Sequence, residues 1–334
     1  MKIDVYAHIV PQKFLDALLK KKPSIDPFFQ ANMKAVRTLT DLELRFRIMD
    51  KFDGLMQVIA LGGISIESVL GPQDAPELAM IANDEKAELL FKYPDRFAGA
   101  VATLPMNNLD AALKETDRTI CDLKFKGVEV TSDIGGLPLD SPKFKPLYEK
   151  MADYNLPIWI HPQKKPTEPD YPGENMSKYN ACMVFGWPYQ TTLAMNRLVF
   201  SGVLEDLPDL KFITHHCGGM VPHFAERIAG MHDHNQIFHK GFGYDRFLRK
   251  HPIEYFRRFY GDTATWGSTL ALMAGHSFFG ADHVLFGTDM PWDGQLGLRQ
   301  TRDTIHAIER MEISEAEKAK IFEGNARSLL RLPV

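Results

Sequence analysis

The chain has 334 residues, of which 45% are hydrophobic and 25% are charged, a balance that excludes wholesale disorder. Lysine and arginine number 39 against 43 aspartates and glutamates, and the resulting net charge of −4 argues against a nucleic-acid partner. No apolar run is long enough for a membrane span, and the N-terminus lacks the apolar core of a signal peptide. The three cysteines form no CxxC pair, so we expect a cytoplasmic protein without disulfides.

Short apolar runs alternate with helical patterns along nearly the whole chain. The run 55–61 is apolar at almost every position, which is typical of a strand buried on both faces. Eight runs of this kind are predicted to be strands: Lys2–Ile9, Leu55–Leu61, Arg96–Leu104, Gly127–Ser132, Leu156–Pro162, Lys211–His216, Phe259–Ala264 and Val284–Asp289. Helical patterns lie between them, including Asp41–Phe52, Ala75–Tyr93, Leu109–Phe125, Phe144–Tyr154, Thr191–Leu204 and Ser314–Phe322.

Eight strands that alternate with helices predict a parallel sheet, and the count of eight favours closure into a (β/α)8 TIM barrel. A doubly wound open sheet is the alternative, but no Gly-rich phosphate loop follows the first strand. Two longer segments, Gln163–Tyr189 after the fifth strand and His232–Arg258 after the sixth strand and its helix, are predicted insertions that cover one mouth of the barrel. No linker or repeat divides the chain, so residues 1–334 are predicted to form a single domain.

Histidine or aspartate stands at the end of four predicted strands. The first strand ends at His8, the fifth at His161, the sixth at His215-His216 and the eighth at Asp289. In a barrel these ends meet at one rim, where functional side chains collect. A single histidine at a strand end is usually structural, but four such ends together indicate a centre for a divalent metal such as Zn²⁺ or Mn²⁺.

Seven motifs along the chain form an ordered series: Ile3-Asp4-Val5-Tyr6-Ala7-His8, Gly127-Val128-Glu129-Val130, Leu139-Asp140-Ser141-Pro142-Lys143-Phe144, Leu156-Pro157-Ile158-Trp159-Ile160-His161-Pro162, His216-Cys217-Gly218-Gly219, Gly287-Thr288-Asp289-Met290-Pro291 and Gly324-Asn325-Ala326. This series resembles that of the amidohydrolase superfamily, in the branch that contains aminocarboxymuconate-semialdehyde, resorcylate and carboxyvanillate decarboxylases. The resemblance extends over nearly the whole chain. It implies one divalent metal ion, with Zn²⁺ expected first and Mn²⁺ second, held by His8, His161 and Asp289. It also implies that His216 is a general acid or base and that Asp289 assists catalysis.

Tyr6 departs from this pattern, because the family usually has His or Glu at that position. A phenol with an ordinary pKa near 10 is a poor ligand unless the metal lowers that value. Tyr6 therefore coordinates as a phenolate, is replaced by a water, or marks a weakened or lost site. We expect the metal to be retained, with His216 as a further residue that could enter the coordination shell.

Arg45 and Arg227 are the candidate substrate contacts, since arginine binds carboxylates through two parallel donors. Arg45 resembles the arginine that the semialdehyde decarboxylase offers to its substrate, although Arg45 and Arg47 could instead form the solvated face of a helix. Arg227 resembles a residue that the family lends across a dimer interface, which implies a homodimer or a higher homo-oligomer.

Other candidates have plainer interpretations. The fifth-strand insertion offers possible walls for a flat substrate in Tyr179, Met183, Phe185 and Trp187. The run His232-Asp233-His234, with His239, is expected to be a solvated lid rather than a second metal site. Cys217 is expected to pack in the core, because no paired base or oxyanion arrangement accompanies it.

The leading hypothesis is a metal-dependent carboxy-lyase that decarboxylates an aromatic or unsaturated carboxylic acid without oxidation. The same centre could instead hydrolyse or hydrate a lactone, amide or conjugated acid. A metal-free binding protein derived from this fold is a third reading, suggested by Tyr6.

Overall fold

The structure is a computed structural model that describes residues 1–25, 27–238 and 248–333, with only the backbone described at 235–238. Its strands are β1 Lys2–Ile9, β2 Leu55–Leu61, β3 Phe97–Ala100, β4 Ala102–Thr103, β5 Val128–Thr131, β6 Asp133–Ile134, β7 Leu137–Pro138, β8 Ile158–His161, β9 Phe212–Thr214, β10 Tyr260–Asp262 and β11 Val284–Leu285. Its α-helices are α1 Gln12–Lys21, α2 Pro27–Ala35, α3 Leu42–Met49, α4 Ile66–Val69, α5 Ala75–Lys92, α6 Leu109–Asp117, α7 Lys145–Tyr154, α8 Trp187–Phe200, α9 Val203–Asp206, α10 Ala225–Phe238, α11 Pro252–Phe256, α12 Thr269–Phe279, α13 Leu298–Glu309, α14 Glu315–Ala319 and α15 Asn325–Leu330.

The larger strands pair in parallel, which confirms the predicted α/β class. One sheet has the order β1-β2-β3, and a second has the order β11-β10-β9-β8-β5-β4. The pair β6-β7 is a separate antiparallel hairpin. Only Val101 separates β3 from β4, so the two sheets are continuous along the chain there. Each predicted strand contains an observed one, and β2 has the bounds that its apolar run predicts.

Residues beyond β11 continue beside β1. Val5 N donates to Phe286 O over 2.8 Å, Asp289 N donates to Tyr6 O over 3.0 Å, and His8 N donates to Met290 O over 2.9 Å. The predicted strand Val284–Asp289 is a regular strand only as far as Leu285, and Asp289 itself takes a left-handed backbone conformation with φ of 60°. These bonds bring the end of the last strand to the end of the first.

A cluster of apolar side chains, called here the apolar layer, lies between the two sheets. It combines side chains from both sheets, and Trp159 Nε1 donates to Val5 O across them over 3.1 Å. Burial of this layer contributes hydrophobic stabilisation, at roughly 25 cal/mol per Å² of apolar surface. Its fully buried strand members are Ile3, Val5, Tyr6, Val58, Ala60, Trp159, Ile213 and Leu285, and Val101 between β3 and β4 is nearly fully buried.

The helices begin and end at recognisable signals. Asp41 caps α3, since its carboxylate accepts from Leu44 N over 2.9 Å, and Ser314 and Glu317 form a capping box on α14. The predicted helix 75–93 is α5, and it ends one residue earlier than the pattern predicts. None of the helices in the described ranges is both long and apolar enough to cross a membrane.

Candidate metal centre

Five side chains converge where strands β1, β8, β9 and β11 end. His8 Nε2 lies 3.1 Å from Asp289 Oδ1, His215 Nε2 lies 3.2 Å from the same oxygen, and His216 Nε2 lies 3.8 Å from Asp289 Oδ2. Candidate ligand atoms of His8, His161 and His215 all lie within 4.8 Å of one another. The structure thus brings the predicted residues His8, His161, His216 and Asp289 together and adds His215.

Three of the imidazoles, those of His8, His161 and His215, each leave the Nε2 atom available to a metal. His161 Nδ1 lies 2.7 Å from Pro162 O, which can only accept, so this nitrogen carries the proton and Nε2 is the free donor atom. The Nε2 atoms of His8 and His215 are buried and make no hydrogen bond in the described part of the protein. Buried lone pairs at such spacing repel unless protons or a cation lie between them. The residues therefore fit a divalent metal ion.

The charges in the cluster depend on one another. Burial alone would raise the pKa of Asp289, but the neighbouring charges of His215 and His8 outweigh it and hold that pKa well below the usual range. Burial lowers the pKa of His215, but the carboxylates of Asp262 and Asp289 outweigh it and raise that pKa to about 10. Burial and the charge of His215 lower the pKa of His216 to about 4, so His216 is a neutral imidazole at neutral pH. Without a metal, the site therefore holds an ionised carboxylate beside a protonated His215.

Left-handed backbone conformations place the last two residues of the cluster. Asp289 has φ of 60° and His216 has φ of 54°, and each costs roughly 1–3 kcal/mol in a residue other than glycine. Gly219 follows with φ of 61°, and a Cβ at Gly219 would overlap the carbonyl oxygen of Pro188. The turn after β9 therefore needs glycine at position 219. The left-handed backbone at His216 directs its ring toward Asp289.

Asp4 holds the first strand in register with the last. Its Oδ2 accepts from Thr288 Oγ1 over 2.6 Å, and its Oδ1 accepts from Thr288 N over 3.0 Å and Tyr6 N over 3.1 Å. Burial raises the pKa of Asp4 to about 6. This carboxyl group positions the backbone on both sides of the centre.

The ring of Tyr6 lies beside the histidines of the centre, but its hydroxyl is hydrogen-bonded to Glu129. Its hydroxyl donates to Glu129 Oε1 over 2.8 Å, and its ring centroid lies 4.2 Å from that of His215. Burial, together with the negative charge of Glu129, raises the pKa of the phenol well above 10. Tyr6 is therefore a neutral hydrogen-bond donor to Glu129 in this structure.

Two tryptophans border the histidine cluster. The Trp187 ring lies 5.7 Å from the ring of His161 and 6.4 Å from that of His216, and the Trp292 ring lies 5.7 Å from that of His8. Of the four predicted wall residues, Trp187 makes these contacts, whereas Tyr179 is 98% exposed and Phe185 is 67% exposed. Neither Tyr179 nor Phe185 forms a wall of the centre in this structure.

The two predicted arginines occupy very different places. Arg45 is fully buried: its Nη1 donates to Gln57 Oε1 over 2.7 Å, its Nε to Thr38 O over 3.2 Å, and its Nη2 to His8 O. These three acceptors hold the guanidinium behind the centre, so Arg45 does not lie on a solvated helix face, and its role as a substrate contact stays a prediction. Arg227 is exposed on α10 and lines a surface groove of about 370 Å³.

The remaining candidates can also be located. Cys217 is buried, and burial raises the pKa of its thiol far above the usual range, which agrees with a packing role. Asp233 and His234 are exposed on α10, and His239 lies outside the described residues. Metal-ligating side chains converge at the strand ends and nowhere else in the described ranges.

The sequence places His215 at a strand end but assigns it no role, and it does not single out Asp262, Glu129 or Trp292. Side chains alternate along a strand, so His215 and His216 would face opposite sides of an extended chain. The left-handed backbone at His216 breaks that alternation, and both rings then face Asp289. The only available signal was the pair of adjacent histidines before two glycines.

A parallel α/β fold that gathers imidazoles and a carboxylate at the carboxyl ends of its strands defines a metal-binding α/β protein. The amidohydrolase family model matches residues 3–332, so the chain belongs to that family, as its strand-end motifs predict. It is 30% identical to the gamma-resorcylate decarboxylase of Polaromonas sp. strain JS666 over 89% of each chain. It is 28% identical to the 2-amino-3-carboxymuconate-6-semialdehyde decarboxylase of Dictyostelium discoideum, over 99% of this chain and 92% of the relative.

A solved structure also matches nearly the whole chain. The dihydroxybenzoic acid decarboxylase of Polaromonas sp. JS666, solved with bound manganese and the inhibitor 2-nitroresorcinol, superposes with a TM-score of 0.80. The two proteins are 26% identical, and the match covers 99% of this chain and 96% of the other. A metal-bound neighbour and the convergence of His8, His161 and Asp289 together support a divalent metal in this protein.

Proposed function

We propose that this protein is a metal-dependent decarboxylase that removes CO₂ without oxidation from an aromatic carboxylic acid. The observation that carries the proposal is the approach of His8 and His215 to one oxygen of Asp289, within 3.2 Å, beside the ring of His161. Relatives and a structural neighbour that decarboxylate resorcylate or dihydroxybenzoate, by their names, support the reaction type.

The proposed architecture is a closed (β/α)8 barrel formed by residues 1–334. Three backbone hydrogen bonds between β1 and residues 286–290 support closure at one seam. The short gap between β3 and β4 supports it at the other. The insertions after β8 and in the region of α10 and α11 are proposed to border the mouth that carries the centre.

The proposed ligands are His8, His161 and Asp289, and both Zn²⁺ and Mn²⁺ suit such nitrogen and oxygen donors. When bound, the ion supplies positive charge that holds the substrate carboxylate and stabilises electron density developing on the ring. Zn²⁺ is the ion expected from the sequence, and the manganese-bound neighbour supports Mn²⁺.

His216 is the proposed proton carrier. Its side chain is 13% exposed, and its Nε2 lies 3.8 Å from Asp289 Oδ2. Because His216 is neutral and Asp289 is ionised in the resting site, the proton comes from solvent and His216 passes it to the ring carbon that bears the carboxylate. The bond from that carbon to the carboxyl carbon then breaks, its electron pair returns to the ring, and CO₂ leaves, so that His216 is neutral again.

Substrate shape is set by the aromatic walls. Trp187 and Trp292 lie on the His161 and His8 sides of the centre, and such faces favour a flat ring between them. Arg45 has a positioning role in this proposal, because its hydrogen bond to the His8 carbonyl holds the end of β1.

Assembly and location complete the proposal. Arg227 lines the groove with Phe224, Ile228 and Met231, and an exposed apolar surface of this kind supports a homodimer in which Arg227 reaches the partner's substrate. All three cysteines are free, which supports a cytoplasmic location.

The test is incubation of manganese- or zinc-loaded protein with 2,6-dihydroxybenzoate and related hydroxybenzoates. Expected results are equimolar CO₂ and decarboxylated phenol, and loss of both products in His161→Ala, which leaves the apolar layer intact. Conversion without CO₂ would identify a hydrolase or hydratase and overturn the proposal. Metal content below about a tenth of an equivalent after metal-replete purification would favour a binding protein.

A further inference from the structure

We propose that His215 is a fourth protein ligand of the metal, that it takes over the role left open by Tyr6, and that Asp262 positions it. The inference rests on the metal centre of the proposed function. It adds a nitrogen ligand from the turn after β9 and assigns a purpose to a buried carboxylate on β10.

Asp262 fixes both the orientation and the tautomer of His215. His215 Nδ1 donates to Asp262 Oδ2, and both side chains are fully buried. The other oxygen of Asp262 accepts from Cys217 N over 3.1 Å and from Ala264 N over 3.0 Å, so the carboxylate cannot rotate away. A carboxylate that accepts from one imidazole nitrogen leaves the other nitrogen available to a metal, which is a recurrent arrangement behind metal-bound histidines.

The distances around Asp289 match those between ligands of one ion. With metal-to-ligand bonds of 2.0–2.1 Å, neighbouring ligand atoms in a tetrahedral site are about 3.3 Å apart. His8 Nε2 and His215 Nε2 lie 3.1 and 3.2 Å from Asp289 Oδ1, and neither nitrogen makes a hydrogen bond in the described part of the chain. The Nε2 atoms of His215 and of the predicted ligand His8 therefore lie at nearly the same distance from Asp289 Oδ1.

Tyr6 supports this ligand rather than acting as one. Its hydroxyl proton is donated to Glu129 over 2.8 Å, and its ring packs against His215 with a centroid distance of 4.2 Å. Tyr6 thus packs against the ring of His215 and donates a hydrogen bond to Glu129. The ligand that the family usually has at position 6 is supplied instead by a nitrogen of His215, at the end of β9. The complete protein set is three imidazoles and the Asp289 carboxylate.

Metal affinity measured without turnover tests the inference. Apo-protein is titrated with Mn²⁺ and with Zn²⁺ against a chromophoric chelator, for wild type, His215→Asn, Asp262→Asn, Tyr6→Phe and His161→Ala. The exposed residue His306 provides the matched control His306→Asn. Melting of each apo-protein reports whether it folds.

His215→Asn is expected to weaken binding about 100-fold or more and Asp262→Asn about 10- to 100-fold, with Tyr6→Phe and His306→Asn within threefold of wild type. Wild-type affinity in His215→Asn together with loss in His161→Ala would overturn this inference and leave the centre standing. Wild-type affinity in His161→Ala would overturn the centre itself.

A wild-type experiment covers the case in which His215→Asn does not fold. In cobalt-substituted protein, each bound imidazole with a protonated outer nitrogen gives one exchangeable, paramagnetically shifted proton signal. The inference predicts three such signals, and that the one from His215 exchanges slowest because Asp262 and the buried backbone enclose it. Two signals would contradict it.

Discussion

The hydroxyl of Tyr6 donates a 2.8 Å hydrogen bond to Glu129 Oε1, which joins the first strand to the strand β5 beside the metal centre. Tyr6→His replaces this donor with an imidazole at the position where the family usually has His or Glu. We expect the metal dissociation constant to stay within about threefold of wild type, a change of less than about 0.7 kcal/mol, because His215 already supplies the nitrogen ligand. Chelator competition measures it, and a tenfold or larger fall in a folded variant would show that a ligand position is open at residue 6 and would contradict the role given to His215.

Arg45 is expected to contribute to stability more than to substrate affinity. Arg45→Met leaves the acceptors His8 O, Gln57 Oε1 and Thr38 O without their buried donor, and we expect a loss of about 3 kcal/mol in the free energy of unfolding. Arg47 is exposed on the same helix, and the matched variant Arg47→Met should change that free energy by less than about 0.5 kcal/mol. Urea unfolding checks both. Equal stability of Arg45→Met and wild type would contradict the positioning role.

Gly275 of α12 lies against Cys217. A Cβ at position 275 would overlap the Cys217 Sγ atom, so Gly275→Ala should destabilise the protein by about 1–3 kcal/mol despite the better helix propensity of alanine. In a Cys217→Ala background the sulfur is gone, and the same change should become neutral or stabilising. Thermal melting of the two single variants and the double variant measures this coupling. Additive effects would show that the two side chains do not share the space.

Lys86 should make stability depend on pH. It is fully buried and donates from Nζ to Val101 O and, over 3.0 Å, to Thr103 Oγ1, and burial lowers its pKa from 10.5 to about 7. Between these values the unfolded chain binds a proton that the folded protein does not. The contribution of Lys86 to the free energy of unfolding therefore rises with pH, by at most about 1.4 kcal/mol per pH unit.

Lys86→Met removes this titration and keeps the apolar stem. Unfolding free energies between about pH 7.5 and 9 should therefore rise less steeply with pH in the variant than in wild type. The difference between the two slopes is the informative quantity, because the other titrating groups are common to both proteins. Identical slopes would mean that Lys86 remains charged when buried.

Strong local patterns predicted most of the fold. The run 55–61 is apolar throughout and became β2 with the same bounds, and helix α3 starts after Asp41, where its cap indicates. The strand predicted to reach Asp289 ends at Leu285, and Asp289 itself has a left-handed backbone conformation. Periodicity describes regular backbone and cannot predict such local departures.

The site was predictable only in part, for a related reason. His8, His161 and Asp289 stand at strand ends, and strand ends meet in a parallel α/β fold. Arg45 and Arg47 look alike in an amphipathic pattern, and only the packing of α3 decides that the first is buried and the second exposed. His215 depends on its distant partner Asp262, which no local spacing indicates.

The central claim is that this centre removes a carboxylate with the help of a divalent metal. The most direct measurement is ¹³CO₂ release from carboxyl-labelled 2,6-dihydroxybenzoate by metal-loaded, chelated and reconstituted protein under one set of conditions. We predict labelled CO₂ and the phenol in equal amounts with the loaded protein, at least a hundredfold slower release after chelation, and recovery on adding Mn²⁺ or Zn²⁺. Equal rates with and without metal, or substrate consumption without labelled CO₂ across the hydroxybenzoates, would contradict it.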